Sequence, residues 1–167
     1  GTARAVIRPA TAMEVQAIVA ICAATYTPLV PQGGNTGLVG GSVPRGGEVV
    51  LSLRRLDQIT IDGDRGEAIV GAGAVLESVQ TAASAEGWEL GVDLAARASA
   101  TIGGMVATNA GGERVLRHGP MAEQLIGVEA VLGDGTRVGR VPALRKDNAG
   151  YRWSGILAGS EGMLAVI

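Results

Sequence analysis

Apolar residues recur at helical spacing near the start of the chain. Four of them follow the i, i+3, i+4, i+7 pattern that lines one helix face: Val15, Ile18, Val19 and Cys22. Thr11 and Glu14 precede this stripe at the spacing of a capping box, in which the two side chains satisfy free backbone N–H groups. The pattern predicts a helix that begins after Thr11 and turns its stripe, including the Cys22 thiol, towards the core.

Short apolar runs bounded by turn residues predict strands around this helix. They are Ala5–Pro9, Tyr26–Val30, Glu48–Leu53 and Glu67–Val70, with a hairpin of Leu125–Leu132 and Thr136–Val141 across Gly133-Asp134-Gly135. A second helix is predicted from Ala74 to about Ala85, and Gly87 ends it. The order strand, helix, strand, loop, strand predicts a small α/β lobe with parallel pairing over residues 1–57. A larger α+β lobe is predicted over residues 58–167.

The composition is that of a folded protein with an unusual amount of glycine. Hydrophobic residues make up 47% of the 167 residues, but Phe is absent and there are two Trp and two Tyr, so the core must be aliphatic. The 27 glycines exceed the ordinary usage of roughly 7% more than twofold. Glycine at this frequency is expected where the backbone repeatedly approaches another group closely.

Charge and reactive side chains exclude several functions. The net charge is −2 and no long basic cluster occurs, which argues against a nucleic-acid partner. One His and one Cys cannot form an ordinary zinc site, so no metal is predicted. The single Cys22 fits a reducing compartment, and we expect a cytoplasmic location. No apolar run approaches the ~18 residues of a membrane span. The chain begins with Gly1 and stops within an apolar run at Ile167, and we expect it to be part of a larger protein.

The densest glycine cluster follows the apolar run Pro28–Val30. Residues 31–41 read Pro-Gln-Gly-Gly-Asn-Thr-Gly-Leu-Val-Gly-Gly. Glycine allows successive backbone N–H groups to turn towards one point, which forms a nest for phosphate without a lysine. A mobile surface loop is the alternative, but the order of a strand, Gly-Gly-Asn-Thr-Gly, an apolar pair and Gly-Gly favours an anion cradle.

Other glycine patterns are weaker signals. Gly71-x-Gly73 follows a strand, as in the dinucleotide fingerprint, and Asp93 lies about 20 residues further on. Leu76, however, occupies the place of the third glycine. No lysine follows a glycine at P-loop spacing. From Gly103 to Gly112 almost every side chain is small, so this surface could lie flat against a rigid ring or could allow backbones to pack closely.

Four segments resemble, in the same order, the FAD-binding domain of the vanillyl-alcohol-oxidase type of flavoproteins, which has the PCMH-type fold. They are Val30–Gly37, Thr101–Gly112, Leu144–Asn148 and Gly159–Gly162. Within this family the chain looks most like the branch of D-2-hydroxyglutarate, D-lactate and glycolate dehydrogenases. The resemblance implies a two-lobed α+β domain, in which a small βαββ lobe precedes a larger lobe with a mixed or antiparallel sheet and helices.

The resemblance also implies how FAD is bound. The glycines of residues 33–41, with Asn35 and Thr36, would hold the pyrophosphate. The ribityl chain and the flavin would be lined by Ser99, Ile102, Gly103, Gly104, Thr108 and Asn109, with close backbone approach at Gly112. The implied cofactor-binding residues are Pro31, Gln32, Gly33, Gly34, Asn35, Thr36, Gly37, Gly40, Gly41, Ser99, Ile102, Gly103, Gly104, Thr108, Asn109, Gly112, Gly119 and Ile167. Some relatives attach FAD through a histidine in the phosphate loop; Asn35 stands there, so non-covalent FAD is expected. Gly34→Val is expected to abolish FAD uptake and to leave the fold intact.

Catalytic residues are not assigned by the resemblance. His118 is expected to be a spacer or a flavin contact, and Lys146 could reach the pyrimidine edge of the flavin or the substrate. In the family a separate substrate domain, absent from this chain, supplies the groups that bind a small 2-hydroxy acid. No acid–base pair with assignable roles is found in this chain.

The implied function is the cofactor domain of a dehydrogenase that oxidises a D-2-hydroxy acid to the 2-oxo acid by hydride transfer to FAD. A quinone or an electron-transfer flavoprotein would accept the electrons. The alternatives are an alcohol or aldonolactone oxidase of the same fold, a flavin-carrying subunit without turnover, and an α/β domain that binds another phosphate ligand.

Overall fold

The computed structural model describes residues 1–167, which form eight strands and six helices. The strands are β1 (Ala5–Ile7), β2 (Leu29–Gln32), β3 (Val49–Ser52), β4 (Ile59–Asp62), β5 (Glu67–Val70), β6 (Glu129–Leu132), β7 (Arg137–Gly139) and β8 (Ala165–Val166). The helices are α1 (Ala12–Ala24), α2 (Leu76–Ala85), α3 (Ile102–Ala107), α4 (Val115–His118), α5 (Met121–Gln124) and α6 (Trp153–Leu157).

Helix α1 has the start and the buried face that the sequence predicts. The Thr11 hydroxyl caps the helix by accepting a hydrogen bond from the Glu14 N–H at 3.2 Å. The Glu14 carboxylate accepts from the Ala10 N–H at 2.6 Å, one residue earlier than in a regular capping box. Three residues of the predicted stripe are buried: Val15, Val19 and Cys22. The predicted core position of the Cys22 side chain is confirmed.

The first sheet is parallel, with strand order β1-β3-β2. Its central strand, β3, is buried along its whole length, as expected for a strand covered on both faces. The predicted parallel pairing is confirmed, because Leu29 and Ala5 both pair with Val49. Strand β2 begins at Leu29 rather than at Tyr26. Tyr26 has a φ of 52° in the turn that ends α1 and is almost fully exposed.

The rest of the chain forms two antiparallel sheets and short helices. Strands β4 and β5 form a hairpin, and β6 lies between β7 and β8 in a second sheet. Val131 of β6 and Val166 of β8 pack with Val15, Val19, Leu51 and Leu53 in one core cluster. A second cluster joins α2 to α3 through Leu76, Val79, Met105 and Val106. The predicted α+β class is confirmed, and the boundary at residues 57 and 58 stays a prediction.

Several element boundaries differ from those predicted. Helix α2 begins at Leu76 rather than Ala74, because Val75 forms an isolated β-bridge with Thr101. Strands β6 and β7 are shorter than the predicted hairpin, since residues 125–128 and residues 140–152 have no regular structure. Helices α4, α5 and α6 are too short to show a helical period in the sequence. None of the helices has the length and apolar character needed to cross a membrane.

Candidate functional site

The loop that follows β2 carries a run of unused hydrogen-bond donors. No backbone N–H from Gly33 to Ser42 donates a hydrogen bond within the chain, and the next one, that of Val43, donates to the Gly40 carbonyl at 3.1 Å. Residues 35–41 are exposed. We call residues 33–42 the cradle loop. Its free N–H groups require an acceptor, either water or an anion that approaches the loop.

Side chains at both ends fasten the cradle loop. The Gln32 amide donates to the Ser42 carbonyl at 2.8 Å, and the Ser42 hydroxyl donates to Asn35 Oδ1 at 2.7 Å. Asn35 has a φ of 56° and Gly40 a φ of 76°. Left-handed residues of this kind occur in backbone nests, and Asn tolerates this conformation better than most side chains. The amide of Gln32 therefore holds the loop together, and Asn35 Oδ1 is already occupied by Ser42.

The cradle glycines fall into two groups. A Cβ on Gly33 would lie well inside 3.0 Å of Thr101 Oγ1, and one on Gly34 would lie equally close to the Ser99 carbonyl oxygen. These two glycines allow the loop to pack against residues 99–101. The expectation that Gly34→Val leaves the fold intact is therefore wrong, because the backbone at Ser99 would have to move. By contrast, a Cβ on Gly37 or Gly40 would meet nothing within 4 Å.

The segment that contains Gly159–Gly162 joins the cradle loop to α3. The Gly159 N–H donates to the Val106 carbonyl at 3.0 Å, and the Glu161 N–H donates to the Ala107 carbonyl at 2.7 Å. A Cβ on Gly162 would lie 3.7 Å from Pro31 Cγ, and one on Gly41 would lie 4.0 Å from the Glu161 carboxylate. Three of the segments singled out in the sequence, residues 30–41, 99–109 and 159–162, therefore meet at one place.

The predicted FAD-binding residues in and beside α3 differ in how deeply they are buried. Ile102 and Gly103 are buried, and a Cβ on Gly103 would lie 2.6 Å from Ala72 Cβ, so both serve the core. Gly104 is half-buried and has only Thr101 Oγ1 near its missing Cβ, at 3.3 Å. Ser99 and Thr108 are exposed.

Asn109 and Ile167 also have structural contacts. Asn109 has a φ of 48°, and its Oδ1 accepts a hydrogen bond from the Ala122 N–H at 2.9 Å, which fixes the start of α5. Ile167 is half-buried and packs against two of the core clusters.

Some sequence-selected residues are engaged away from the cradle loop. A Cβ on Gly112 would overlap the Asp93 carbonyl oxygen, and one on Gly119 would overlap the Glu123 carboxylate. The His118 side chain lies beside Gly91, and its carbonyl accepts from the Gln124 amide at 2.6 Å. Lys146 is exposed and lies between two residues that form ion pairs, Arg145 with Glu67 and Asp147 with Arg140.

The dinucleotide-fingerprint pattern has a structural explanation. The Gly71 N–H donates to the Gln58 carbonyl and the Gly73 N–H to the Leu56 carbonyl, both at 2.8 Å. Because these donors are used, they do not face a ligand. A Cβ on either glycine would overlap a backbone carbonyl of residues 53–56. The glycines at 71 and 73 thus allow two chain segments to pack closely.

Two hydroxyl groups that sequence reasoning missed belong to the segments that meet here. Thr101 Oγ1 and Ser160 Oγ are the buried side-chain oxygens without a hydrogen-bond partner. In the sequence they are ordinary small polar residues beside the glycine motifs, and only burial distinguishes them. Buried polar atoms are nearly always paired, so these two require an explanation.

The cradle loop itself carries no charged side chain, and the charged group beside it is the Glu161 carboxylate, which lies 4.0 Å from the Cβ position of Gly41. Residues 31–42 contain no Lys or Arg. The carboxyls with a clearly lowered pKa lie elsewhere and accept backbone N–H bonds in turns: Glu48 from Gly46, Asp134 from Thr136 and Asp147 from Ala149. No group of three or more His, Cys, Asp or Glu side chains is arranged to hold a metal ion. Backbone N–H groups in such a loop suit a phosphate or pyrophosphate group.

Comparison with known protein families shows which family the chain belongs to. Residues 3–139 match the family model described as FAD binding domain. Over its whole length the chain is 42% identical to a probable mitochondrial D-2-hydroxyglutarate dehydrogenase of Oryza sativa and 43% identical to the mitochondrial D-2-hydroxyglutarate dehydrogenase of Bos taurus. It is 42% identical to a putative mitochondrial D-lactate dehydrogenase of Schizosaccharomyces pombe. The chain spans 30 to 32% of the length of these relatives.

Solved structures support the same fold at lower identity. An alkyldihydroxyacetonephosphate synthase matches 97% of this chain with a TM-score of 0.84 and 22% identity, over 30% of its own length. A 6-hydroxy-D-nicotine oxidase of Arthrobacter nicotinovorans matches 99% of this chain with a TM-score of 0.83 and 20% identity, over 35% of its own length. The resemblance to PCMH-type flavoenzymes noted in the sequence is confirmed.

The expected cytoplasmic location is wrong. The relatives from Oryza sativa, Bos taurus and Schizosaccharomyces pombe are all named as mitochondrial enzymes. The expectation rested on the single Cys22. One cysteine excludes a disulfide within the chain, but it does not distinguish one reducing compartment from another.

Proposed function

The chain belongs to the FAD binding domain family, and we propose that it is the cofactor domain of a flavin-dependent dehydrogenase that oxidises a D-2-hydroxy acid to the 2-oxo acid. The observation that carries the proposal is the run of free N–H groups from Gly33 to Ser42. These donors fit the pyrophosphate of FAD, because a nest of N–H groups binds an anion that approaches the backbone. The names of the relatives support the substrate class.

The residues of the chain position the cofactor. The cradle loop holds the pyrophosphate through backbone N–H groups, and the open faces at Gly37 and Gly40 leave room for it. The Thr36 hydroxyl and the free amide nitrogen of Asn35 add donors from side chains. Ser99, Gly104, Thr108 and Asn109, with Ile167, border the ribityl chain and the flavin. Gly112 and Gly119 lie against Asp93 and Glu123 and are left out of the proposed site. Bound FAD supplies the hydride acceptor, and this chain supplies its binding and orientation.

We propose that FAD is held non-covalently. The loop position at which some relatives carry a histidine is Asn35, whose amide is not a nucleophile. The two reactive side chains of other flavin linkages are engaged elsewhere: Cys22 is buried in the core under α1, and the His118 side chain lies against Gly91. Neither lies in the cradle loop.

The proposal also covers the two lobes of the chain, the substrate domain and the electron acceptor. We place the first lobe at residues 1–57 and the second at residues 58–167, so that the cradle loop lies where they meet, against Ser99 and Thr101. A substrate domain outside this chain binds D-2-hydroxyglutarate, D-lactate or glycolate. A quinone or an electron-transfer flavoprotein is the electron acceptor. Lys146 and His118 are left without a catalytic role.

The cofactor is tested by its spectrum. The chain is incubated with FAD, desalted, and measured in the visible region before and after acid precipitation. A flavin band that remains with the native protein and passes into the acid supernatant supports non-covalent FAD, whereas a band that stays with the precipitate contradicts it. Folded protein without any flavin band contradicts the assignment of the cradle loop.

The substrate class needs the substrate domain. A longer protein that contains this chain and its substrate domain is mixed anaerobically with D-2-hydroxyglutarate, D-lactate or glycolate, and the loss of the oxidised flavin band is followed. L-2-hydroxyglutarate and L-lactate serve as controls for the two chiral substrates. Bleaching by a D-2-hydroxy acid and not by its enantiomer supports the proposed activity; bleaching by none of them contradicts it.

A further inference from the structure

Helix α1 is apolar on its solvent side as well as on its buried side. The side that points away from the core is formed by five exposed residues, which we call the outer face of α1: Met13, Ala17, Ala20, Ile21 and Ala24. Met13 is 69% exposed and Ile21 is 64% exposed. The one charged residue of the helix is Glu14, whose carboxylate accepts from the Ala10 N–H. A helix that is apolar all round is normally buried, so the outer face is expected to have a partner.

A groove runs along one edge of the outer face. It has a volume of about 540 Å³ and lies between α1 and the turn that joins β6 to β7. The turn comes close to the helix because Gly135 has no side chain, and a Cβ there would lie 3.0 Å from Ala20 Cβ. The groove is lined by Met13, Gln16, Ala17, Ala20 and residues 134–137. The outer face therefore combines two protruding side chains with a groove beside them.

The outer face is complementary to a second copy of itself. Met13, Ala17 and Ile21 follow one another at i, i+4 and i+8, so they form one row with a small side chain at its middle. Rows of this spacing pack together when two helices cross at about 50°. In an antiparallel pair with a two-fold axis at Ala17, the two alanines lie against each other. Met13 of one chain then lies next to Ile21 of the other, so one patch serves both partners.

The chemistry of the outer face favours a protein partner over a lipid surface. Helices that bind at a membrane surface carry Trp, Phe or Leu on the apolar side and are rich in Lys and Arg on the polar side. Three of the five residues of the outer face are alanine, and α1 contains no Lys or Arg. The groove carries one carboxylate and one guanidinium, Asp134 and Arg137, so two copies bring opposite charges to the contact.

We propose that this protein self-associates as a two-fold pair in which α1 packs against its own copy through the outer face. The contact strip on α1 is about 20 Å long and 10–12 Å wide. This is small beside the ~800 Å² that each partner contributes to a standard interface, even with the β6–β7 turn added. The pair is therefore weak and depends on protein concentration. The inference does not depend on FAD, because no residue of the outer face belongs to the cradle loop.

A charge at the two-fold axis tests the contact. Ala17→Glu places two carboxylates against each other, whereas Ala23→Glu places the same charge on α1 at an exposed position outside the outer face. Sedimentation velocity is measured from low micromolar to submillimolar protein. The wild type and Ala23→Glu should shift from monomer to dimer as the concentration rises. Ala17→Glu should need at least about tenfold more protein for the same shift, because like charges meet in the contact.

A cysteine at the same position tests the geometry without adding charge. Ala17→Cys is oxidised with copper phenanthroline, and the products are separated without reductant. The two Cα atoms at a two-fold axis lie near the ~4.4–6.8 Å that a disulfide spans, so a cross-linked dimer is expected. Ala23→Cys is the matched control and should cross-link at least about tenfold less. The native Cys22 is buried and is not expected to react, and circular dichroism verifies that each variant is folded.

Several outcomes would overturn the inference. A wild-type chain that stays monomeric at every concentration does so. A dimer that neither weakens in Ala17→Glu nor cross-links in Ala17→Cys shows that the copies meet elsewhere. Loss of the cross-link in the longer protein that contains the substrate domain shows that another part of the protein covers the outer face. A monomeric chain that binds vesicles of phosphatidylcholine and cardiolipin, and loses this binding in Ala17→Glu, has a lipid surface as its partner.

Discussion

Substitution at Gly37 separates binding by the cradle loop from the stability of the fold. A Cβ at this position would meet no atom within 4 Å, and Gly37 does not have the left-handed φ that would strain another residue. Gly37→Val should therefore fold normally. Replacing an exposed glycine at a compatible position changes stability by about 1 kcal/mol at most, which corresponds to about 2–4 °C in Tm for a chain of this size.

The effect on FAD binding should be much larger. The valine side chain would extend into the space beside the free N–H groups, where we propose that the pyrophosphate binds. Loss of two hydrogen bonds to a charged group, at about 1.5–3 kcal/mol each, weakens binding by about 3–6 kcal/mol. This corresponds to a loss of roughly 10²–10⁴-fold in affinity.

A matched control measures how much a glycine-to-valine substitution changes FAD affinity and stability at a position outside the cradle loop. Gly133, in the turn between β6 and β7, also has open space around its Cβ position and no left-handed φ. Both variants are titrated with FAD, and their thermal unfolding is compared by circular dichroism. Normal folding of Gly37→Val together with FAD affinity within about threefold of the wild type would refute the reasoning. Equal losses of affinity in Gly37→Val and Gly133→Val would refute it as well.

Two further predictions concern stability. Gly34→Ala should destabilise the chain by about 1–3 kcal/mol, because the new Cβ overlaps the Ser99 carbonyl and forces a backbone shift; an unchanged urea midpoint would show that the loop is not packed there. The pKa of Asp134 is lowered from 3.8, chiefly by the backbone N–H of Thr136. Its ionised form therefore stabilises the folded chain above pH 3.8, and this contribution is lost as the pH falls through the lowered pKa. Asp134→Ala should accordingly be less stable than the wild type at pH 7, and thermal unfolding should show that the difference narrows below pH 3.8; a gap in Tm that is independent of pH would contradict this.

The sequence predicted the elements whose signals are local. The helical stripe of α1 and the strands of the first sheet follow from side-chain period and burial, and they occur where expected. Tyr26 was wrongly placed in β2, because an aromatic residue beside an apolar run indicates a strand. Its actual role follows from the end of α1, where the chain reverses through a left-handed residue.

The sequence was less informative about the site, because its residues act through contacts between distant segments. The glycines of the cradle loop look equivalent in the sequence. In the fold, Gly34 packs against Ser99, whereas Gly37 faces open space. The sequence also does not show that the Thr101 hydroxyl is buried without a hydrogen-bond partner. The environments of Gly34 and of the Thr101 hydroxyl both depend on how residues 99–101 pack against the cradle loop. A pattern in neighbouring residues cannot predict this packing.

Titration of the wild-type chain with FAD tests whether the cradle loop binds the pyrophosphate of the cofactor. Quenching of flavin fluorescence is followed at fixed ionic strength, with riboflavin, which lacks phosphate, as the comparison ligand. We expect saturable binding of one FAD per chain and much weaker binding of riboflavin, because the cradle loop recognises the pyrophosphate. A folded chain that shows no saturable FAD binding, or that binds riboflavin as tightly as FAD, would contradict it.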